Sequence, residues 1–262
     1  MFNAKPIISK WVADMYDQNV IETDDVDFLL SIIGTKPKRI LEVCCGTGRI
    51  LLPLAKAGHN VCGLDFDKHA LSKLKTKTCN QKNVQWRAAD AVYDDWGTGF
   101  DIVVLAANIL YNIVSNMDYS KAQELFIHKA ASSVVPGGYV YIEYAPGGHF
   151  LTQSEPSYNK NEECIIWEGT DTDGNRGKMI LLGNNYNAIT HTDSFVRKFE
   201  LTLKNNEVVT QEIPWQRHFA PLGQLHDWLD DAGFTIEQEY SDIKRNPVND
   251  KSKRVYIYAR KN

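Results

Sequence analysis

Short apolar runs alternate with amphipathic segments between Arg39 and Tyr144. The apolar runs are rich in β-branched residues, whereas the segments between them repeat apolar positions every three to four residues. This alternation predicts strands joined by helices, an arrangement that forms a mainly parallel sheet covered on both faces. The predicted strands are the runs RILEV, HNVCGLDF, NVQWRAAD, GFDIVVLAANIL and YVYIEYA.

The pattern changes after Pro146. Residues 147–160 are rich in Gly, Pro, Ser and Asn, which predicts a loop. Runs of alternating apolar and polar residues follow, separated by turn residues, as in antiparallel strands. One amphipathic helix and two further strands close the chain. The predicted domains are a helical cap, an α/β core in two pieces and a small β insertion: residues 1–35, residues 36–146 with 214–262, and residues 147–213.

Composition narrows the class of protein. The chain has 262 residues, of which 43% are hydrophobic, and this is enough for a full core. A net charge of -4 argues against a protein that wraps nucleic-acid phosphates. The N-terminus lacks the apolar centre of a signal peptide, and no window approaches the roughly 18 apolar residues of a membrane span. We therefore expect a cytoplasmic monomer or homodimer that binds neither nucleic acid nor membrane.

The stretch ILEVCCGTGR, residues 40–49, joins the first predicted strand to a helix through glycines. Gly46 and Gly48 permit a tight turn and a close approach of a ligand to the backbone. A nicotinamide fingerprint requires a third glycine, and Leu51 stands in its place. Cys44 and the next cysteine are adjacent, which favours two small packed residues over a redox or metal pair. The spacing of cysteine and histidine elsewhere predicts no metal site.

Several segments resemble, in order, the motifs of class I S-adenosylmethionine-dependent methyltransferases. They are ILEVCCGTGR, VCGLDFD, WRAADA, FDIVVLAANILY and VVPGGYVYIEY. The resemblance implies a Rossmann-like, seven-stranded, mainly parallel sheet with the last strand antiparallel, and S-adenosyl-L-methionine as the cofactor. The family usually has glycine at the position of Cys44. Cysteine is small, so we expect the turn to be kept.

The resemblance also implies roles for residues at the ends of the strands. Glu42 would lie near the methionine ammonium group, and Asp65 would accept the ribose hydroxyls, with a helix N-cap as its alternative role. Asp90 would face the adenine amino group, or be a solvated loop acid. Asn108 would contact the ligand or cap the next helix. The complete predicted cofactor set is Tyr16, Glu42, Cys44, Gly46, Gly48, Asp65, Phe66, Asp90, Ala91 and Asn108.

Tyr16 belongs to this set because MYDQNV resembles the N-terminal lid of small-molecule N- and O-methyltransferases. Its alternative role is that of a core tyrosine on an amphipathic helix.

The implied reaction is methyl transfer to nitrogen or oxygen of a small-molecule acceptor, because a separate β insertion is frequent in small-molecule enzymes of this family. Such a transfer requires alignment more than a metal ion. Two alternatives stay open, a non-catalytic S-adenosylmethionine-binding protein and a nicotinamide-dependent oxidoreductase. The candidates for catalysis or acceptor binding, each with ordinary packing as its alternative, are Tyr111, Glu143, Tyr144, His149, Arg217 and His218.

Overall fold

The computed structural model describes residues 4–79, 81–146 and 163–262. In chain order, the elements of the described residues are α1 (Pro6–Asn19), α2 (Asp24–Ile33), β1 (Arg39–Val43), α3 (Leu51–Lys56), β2 (Asn60–Asp65), α4 (Lys68–Lys77), β3 (Val84–Ala88), β4 (Phe100–Leu105), a 3-10 helix (Ile109–Asn112), α5 (Tyr119–Ser133), β5 (Val134–Tyr144), β6 (Cys164–Thr170), β7 (Arg176–Asn187), β8 (Thr192–Thr202), β9 (Val208–His218), α6 (Leu222–Asp231), β10 (Phe234–Tyr240) and β11 (Val255–Lys261).

The chain divides into two compact units. The unit that we call the β unit comprises Met1–Ile21 with Gly148–Phe219. The other, which we call the α/β unit, comprises Glu22–Gly147 with Ala220–Asn262. The helices α1 and α2, which were predicted together as one cap, lie in different units.

Within the described residues, the α/β unit contains a seven-stranded sheet in the order β10-β11-β5-β4-β1-β2-β3. Five neighbouring strands are parallel, in the sheet order β5, β4, β1, β2 and β3. The strand β11 runs antiparallel to both of its neighbours, β10 and β5. The predicted fold class is thereby confirmed. Alternate residues of the central strands pack into different clusters, with Leu41 and Val103 in one and Ile40 and Ile102 in another. Because both faces of the sheet are covered, successive residues of these strands are apolar, and the strands appear in the sequence as continuous apolar runs.

The β unit contains, in its described part, a four-stranded antiparallel sheet in the order β6-β7-β8-β9. The helix α1 packs its apolar side against one face of this sheet, where Ile8, Trp11 and Met15 share a cluster with Phe199 and other sheet residues. The strand β9 pairs with β8 along its whole length as far as His218, beyond the predicted end of the insertion at residue 213. Continuous pairing with β8 gives the longer strand its backbone hydrogen bonds.

One predicted turn is part of a strand instead. The PGG sequence, which was predicted as a turn, lies inside β5, where Gly137 has a φ of +76° and the pairing with β4 shifts register. It is therefore an irregularity within a strand.

Across residues 4–79, 81–146 and 163–262, no helix has the length and apolar character that spanning a lipid bilayer demands.

Candidate functional site

The loop after β1 has an alternating left-handed backbone. Cys44, Gly46 and Gly48 have φ values of +60°, +54° and +89°. A Cβ atom on Gly48 would lie 2.5 Å from Cδ1 of Leu74, so a side chain there would displace Leu74 in addition to straining the left-handed backbone. A left-handed cysteine costs about 1–2 kcal/mol, and such strain is typical of functional turns. The predicted glycine-rich turn is kept, although Cys44 replaces a glycine.

The adjacent cysteines of this loop pack rather than act as a redox pair. Cys45 is buried, and its Sγ lies 2.5 Å from the position that a Cβ on Gly63 would occupy. Glycine in β2 therefore makes room for the Cys45 side chain. Burial raises the pKa of both thiols, which keeps Cys44 and Cys45 protonated and unreactive.

Asp65, the last residue of β2, joins this loop to the loop after β2. Its Oδ2 accepts a hydrogen bond of 2.8 Å from the Gly46 N–H, and its Oδ1 accepts one of 2.8 Å from the Asp67 N–H. The N-cap of α4 is Asp67, whose Oδ1 accepts from the N–H groups of His69 and Ala70. The capping role considered for Asp65 is thus filled by Asp67. A carboxylate has about four acceptor sites, so Asp65 can also accept hydroxyl groups.

Glu42 lies in β1 and is only 5% exposed. Burial raises its pKa to about 8; the positive charge of Arg49 acts in the opposite direction, and the charge of Asp65 raises it further. The Leu51 backbone also forms a hydrogen bond with this carboxyl group. Its Oε2 is buried and has no hydrogen-bond partner among the described residues. A buried carboxyl group with one open oxygen fits a cationic ligand group such as an α-ammonium.

Arg49 is a residue of this loop that the sequence analysis did not identify. Its Nη1 and Nη2 lie 2.8 and 2.7 Å from the two carboxylate oxygens of Asp25 in α2, and Nη1 also donates to the Glu22 carbonyl. This bidentate pair ties the beginning of α2 to the residue after Gly48. The only sequence signal was the acidic first turn of α2.

Asp90 follows β3 and organises its own loop. Its Oδ1 accepts a 2.9 Å hydrogen bond from the Val92 N–H, and its own N–H donates to Oδ2 of Asp94. It is therefore more than a solvated loop acid. Ala91 is buried, whereas Phe66, the residue after Asp65, is 49% exposed. The adenine contacts of these residues stay predictions.

The strand β4 ends at Leu105, five residues earlier than the predicted apolar run. Ala107 and Asn108 both adopt left-handed backbone conformations, with φ values of +53° and +59°. Asn108 forms no side-chain cap on the 3-10 helix, and its buried Oδ1 has no hydrogen-bond partner in the described part of the chain. The side chain of Asn108 therefore does not cap the 3-10 helix, which was one of its two predicted roles. Strained turns at the carboxyl end of a parallel strand are typical of ligand sites.

Glu143 supports this turn from β5. Its Oε2 accepts a 3.0 Å hydrogen bond from the Ala107 N–H, and its Oε1 lies 2.7 Å from Nη1 of Arg254. Burial raises the pKa of Glu143, while the Arg254 charge lowers it. Of the other candidates in this unit, Tyr111 lies 6.3 Å from Tyr144 between ring centroids, and buried Tyr144 donates to the Ala220 carbonyl.

Arg217 of the β unit forms an ion pair with Asp193, the residue opposite it on β8. Its Nη2 lies 2.5 Å from Oδ2 of Asp193, which is completely buried. The guanidinium group also lies 4.6 Å from the ring centroid of Phe195 and 5.4 Å from that of Phe219. Removing one partner of such a pair leaves a buried charge, so Arg217 has a structural role whatever else it does.

The remaining candidates lie in or near the same unit. Tyr16 on α1 packs edge-on against Trp167, with 6.2 Å between the ring centroids. His218 is the last residue of β9 and pairs with Thr192. His149 lies outside the described residues. For all of them, a role in cofactor or acceptor binding stays a prediction.

The donors and acceptors at this edge of the α/β sheet fit a nucleoside that carries an amino acid. Glu42, Asp65 and Asn108 lie on or directly after strands β1, β2 and β4, which are neighbours or next neighbours in the sheet. Carboxyl ends of parallel strands meet at one edge, where this fold type binds ligands. Within the three described ranges, no group of three or more His, Cys, Asp or Glu is arranged to hold a metal ion.

Comparison with known proteins identifies a methyltransferase domain in this chain. Residues 40–138 match the family described as a methyltransferase domain. The match lies among the segments that carry the predicted motifs, and it confirms the resemblance to class I S-adenosylmethionine-dependent methyltransferases. The chain is a methyltransferase, and S-adenosyl-L-methionine is its cofactor.

Similar proteins match nearly the whole length of this methyltransferase. A protein of Geobacillus sp. (strain WCH70) that is named as a methyltransferase is 22% identical over 229 residues, covering 86% of this chain and 85% of its own. The structure of an S-adenosylmethionine-dependent methyltransferase from Clostridium acetobutylicum ATCC 824 has a TM-score of 0.71, 13% identity, and coverage of 97% and 99%. The sugar N-methyltransferase KedS8 from Streptoalloteichus sp ATCC 53650 has a TM-score of 0.70, 12% identity, and coverage of 94% and 91%. The two structural similarities show the fold.

Proposed function

We propose that this methyltransferase transfers a methyl group to a nitrogen or oxygen atom of a small-molecule acceptor. The observation that carries the proposal is the β unit, whose sheet is inserted between β5 and α6 of the methyltransferase fold. The sugar N-methyltransferase KedS8 matches 94% of this chain, a share too large to leave out the β unit. The mild net charge of -4 also suits a small acceptor better than a nucleic acid.

The residues of the α/β unit have complementary tasks in this proposal. When bound, S-adenosylmethionine supplies an electrophilic methyl group on a sulfonium sulfur. Glu42 would hold the ammonium group, Asp65 would accept the ribose hydroxyls, and Asn108 would contact the ligand after the end of β4. Holding the cofactor in one position aligns it with the acceptor, and such alignment can supply roughly 7–11 kcal/mol of the barrier.

The acceptor candidates differ in the structural roles that their ion pairs give them. Buried Glu143 pairs with a partly exposed Arg254, and Arg217 forms a buried ion pair with Asp193, so we assign them support of the turn after β4 and of the β sheet. Tyr111 and His218 keep the predicted role of acceptor contacts. No general base is required for an amine that reaches the site in its neutral form, since its proton leaves after transfer.

A transfer assay tests this proposal. The protein is incubated with S-adenosylmethionine labelled in its methyl group and with panels of amino sugars, other amines, phenols, thiols and carboxylates. We expect label on an amine or hydroxyl compound, at a rate that EDTA leaves unchanged. Label that appears only on long RNA or DNA, with a steep salt dependence, contradicts the proposal. A rate that EDTA abolishes and magnesium restores contradicts its metal independence.

The two alternative functions have their own cheap test. A nicotinamide-dependent oxidoreductase would have a third glycine where fully buried Leu51 stands. Fluorescence titration with NADH should therefore show no saturable binding. A non-catalytic S-adenosylmethionine-binding protein would bind the cofactor but transfer no label to any member of the panels.

A further inference from the structure

The loop after β3, residues 90–96, is held by a lysine from a different part of the chain. The Nζ of Lys129 on α5 donates to the carbonyl oxygens of Ala91, Val92 and Asp94 at 2.8, 2.8 and 2.7 Å. A lysine ammonium has three N–H donors, so these contacts use all of them. Carbonyl groups that converge on one cation are fixed in direction, and with them the peptide planes of the loop.

A tryptophan of the loop strengthens the same attachment. Trp96 is buried, and its Nε1 donates a 2.8 Å hydrogen bond to the Ala91 carbonyl, which Lys129 also contacts. The Trp96 ring packs edge-on against Phe126, with 5.2 Å between centroids. Phe126 and Lys129 are three residues apart on α5 and therefore share one face of the helix. The helix thus holds the loop through one aromatic and one cationic side chain.

The peptide group between Ala91 and Val92, whose carbonyl Lys129 holds, also orients Asp90. The Asp90 Oδ1 accepts from the Val92 N–H at 2.9 Å, and the Asp90 N–H donates to the Asp94 side chain at 2.8 Å. A rotation of the loop would therefore turn the Asp90 carboxylate as well. The family resemblance predicts that this carboxylate faces the adenine amino group, and we include this contact in the proposed function.

We propose that Lys129 is a positioning residue that sets the selectivity of the cofactor site for adenine. It acts through the loop of residues 90–96 and does not touch the cofactor itself. The inference rests on the proposed role of Asp90 in the S-adenosylmethionine site. It predicts that loss of the ammonium group weakens recognition of the adenine amino group more than it weakens the rest of the site.

Calorimetric titration with two ligands tests this inference. S-adenosylhomocysteine carries the adenine amino group, and S-inosylhomocysteine has a carbonyl oxygen in its place. The unmodified protein should prefer S-adenosylhomocysteine, because a carboxylate accepts from an amino group and repels a carbonyl oxygen. Lys129→Met keeps the aliphatic stem beside Trp96 and removes the donors. It should weaken S-adenosylhomocysteine binding about ten-fold and leave S-inosylhomocysteine binding nearly unchanged.

The matched control is Lys121→Met, which removes an exposed lysine from the same helix. It should keep the preference of the unmodified protein. Trp96→Phe, which replaces the indole by a smaller aromatic ring and removes one donor to Ala91, should lower the preference by a smaller factor. This variant also decides the question if Lys129→Met does not fold.

Separate results overturn separate claims. If Lys129→Met or Trp96→Phe weakens both ligands by the same factor, their role is structural and the inference is wrong. If the unmodified protein binds both ligands equally, Asp90 does not read the amino group, and the inference fails with it. If the unmodified protein binds neither ligand, the proposed function itself is contradicted.

Discussion

Glu42 shows at the scale of a single residue how the fold prepares for a cationic group. Burial raises its pKa from 4.5 to about 8, so the free protein holds a proton on this carboxyl group at neutral pH. The folded state binds this proton more tightly than the unfolded chain does. The contribution of Glu42 to stability is therefore fully present below about pH 4.5 and is lost as the pH rises through about 8.

Ligand binding should reverse this protonation. An ammonium group beside Glu42 favours the ionised carboxylate, so binding of S-adenosylhomocysteine near pH 7 should release close to one proton. Calorimetry in buffers with different ionisation enthalpies measures the number of protons released. Glu42→Gln should abolish the release and weaken binding. An unchanged proton count in this variant would show that Glu42 does not meet the ammonium group.

The sequence identified candidate site residues that stand beside the ends of apolar runs. It did not identify the residues, distant in the chain, that hold the loops of the site in place. Glu42, Asp65 and Asn108 stand next to strands that the pattern of apolar residues reveals, so their motifs place them. Lys129 contacts a carbonyl 38 residues away in the chain. Arg49 and its partner in α2 are 24 residues apart. Such pairs depend on how helices pack, which the local pattern does not encode.

At the scale of elements, the Asp25–Arg49 ion pair connects α2 with the glycine-rich loop. Both side chains are largely buried, with exposures of 16% and 14%. Asp25→Asn should lower the free energy of unfolding by about 2 kcal/mol, between the values for exposed and fully buried pairs, and should weaken S-adenosylhomocysteine binding.

The control for this pair is Asp27→Asn, which removes an exposed acid from the same first turn of α2. Both variants lose a comparable interaction with the helix dipole, so their difference reports the ion pair. Urea unfolding and calorimetry measure the two effects. Equal stability of the two variants would mean that the pair contributes nothing to the loop.

Two glycines test how helices and strands use space. A Cβ on Gly177 in β7 would lie 2.8 Å from Cε2 of Trp11, whereas a Cβ on Gly223 in α6 would meet nothing within 4 Å. Gly177→Ala should therefore destabilise the protein by about 1–3 kcal/mol, because α1 must move away from the sheet. Gly223→Ala should stabilise it by about 0.5–1 kcal/mol through helix propensity. Thermal unfolding that ranks the two variants in the opposite order would contradict this packing.

Element boundaries were less predictable than the elements themselves. The predicted fourth strand ran to Leu110, but the buried carboxylate of Glu143 holds the Ala107 N–H in a left-handed turn and ends β4 at Leu105. The apolar residues after this turn are used by the 3-10 helix instead. The period of apolar residues does not reveal a turn that a distant side chain stabilises.

At the scale of the whole molecule, the order of strands and helices was sufficient to predict a mainly parallel α/β sheet. Its seven strands and antiparallel last strand were predicted by the family resemblance. The β unit was recognised as an insertion, but its buried Asp193–Arg217 pair was not expected. In the sequence, charged residues of neighbouring strands suggest a face exposed to solvent. The register between β8 and β9, which the sequence does not give, places Asp193 opposite Arg217. The division into cap, core and insertion stays a prediction, since α1 belongs to the compact β unit.

The central claim is that this chain binds S-adenosylmethionine at the edge where Asp65 joins the loops after β1 and β2. The most direct test is calorimetric titration of S-adenosylhomocysteine into the unmodified protein, Asp65→Ala and Asp67→Ala. Asp65→Ala should bind about 1.5–3 kcal/mol more weakly, as for lost charge-assisted hydrogen bonds. Asp67→Ala should keep nearly normal affinity and lose about 1 kcal/mol of stability with its helix cap. Asp65→Ala binding as tightly as the unmodified protein would contradict the account.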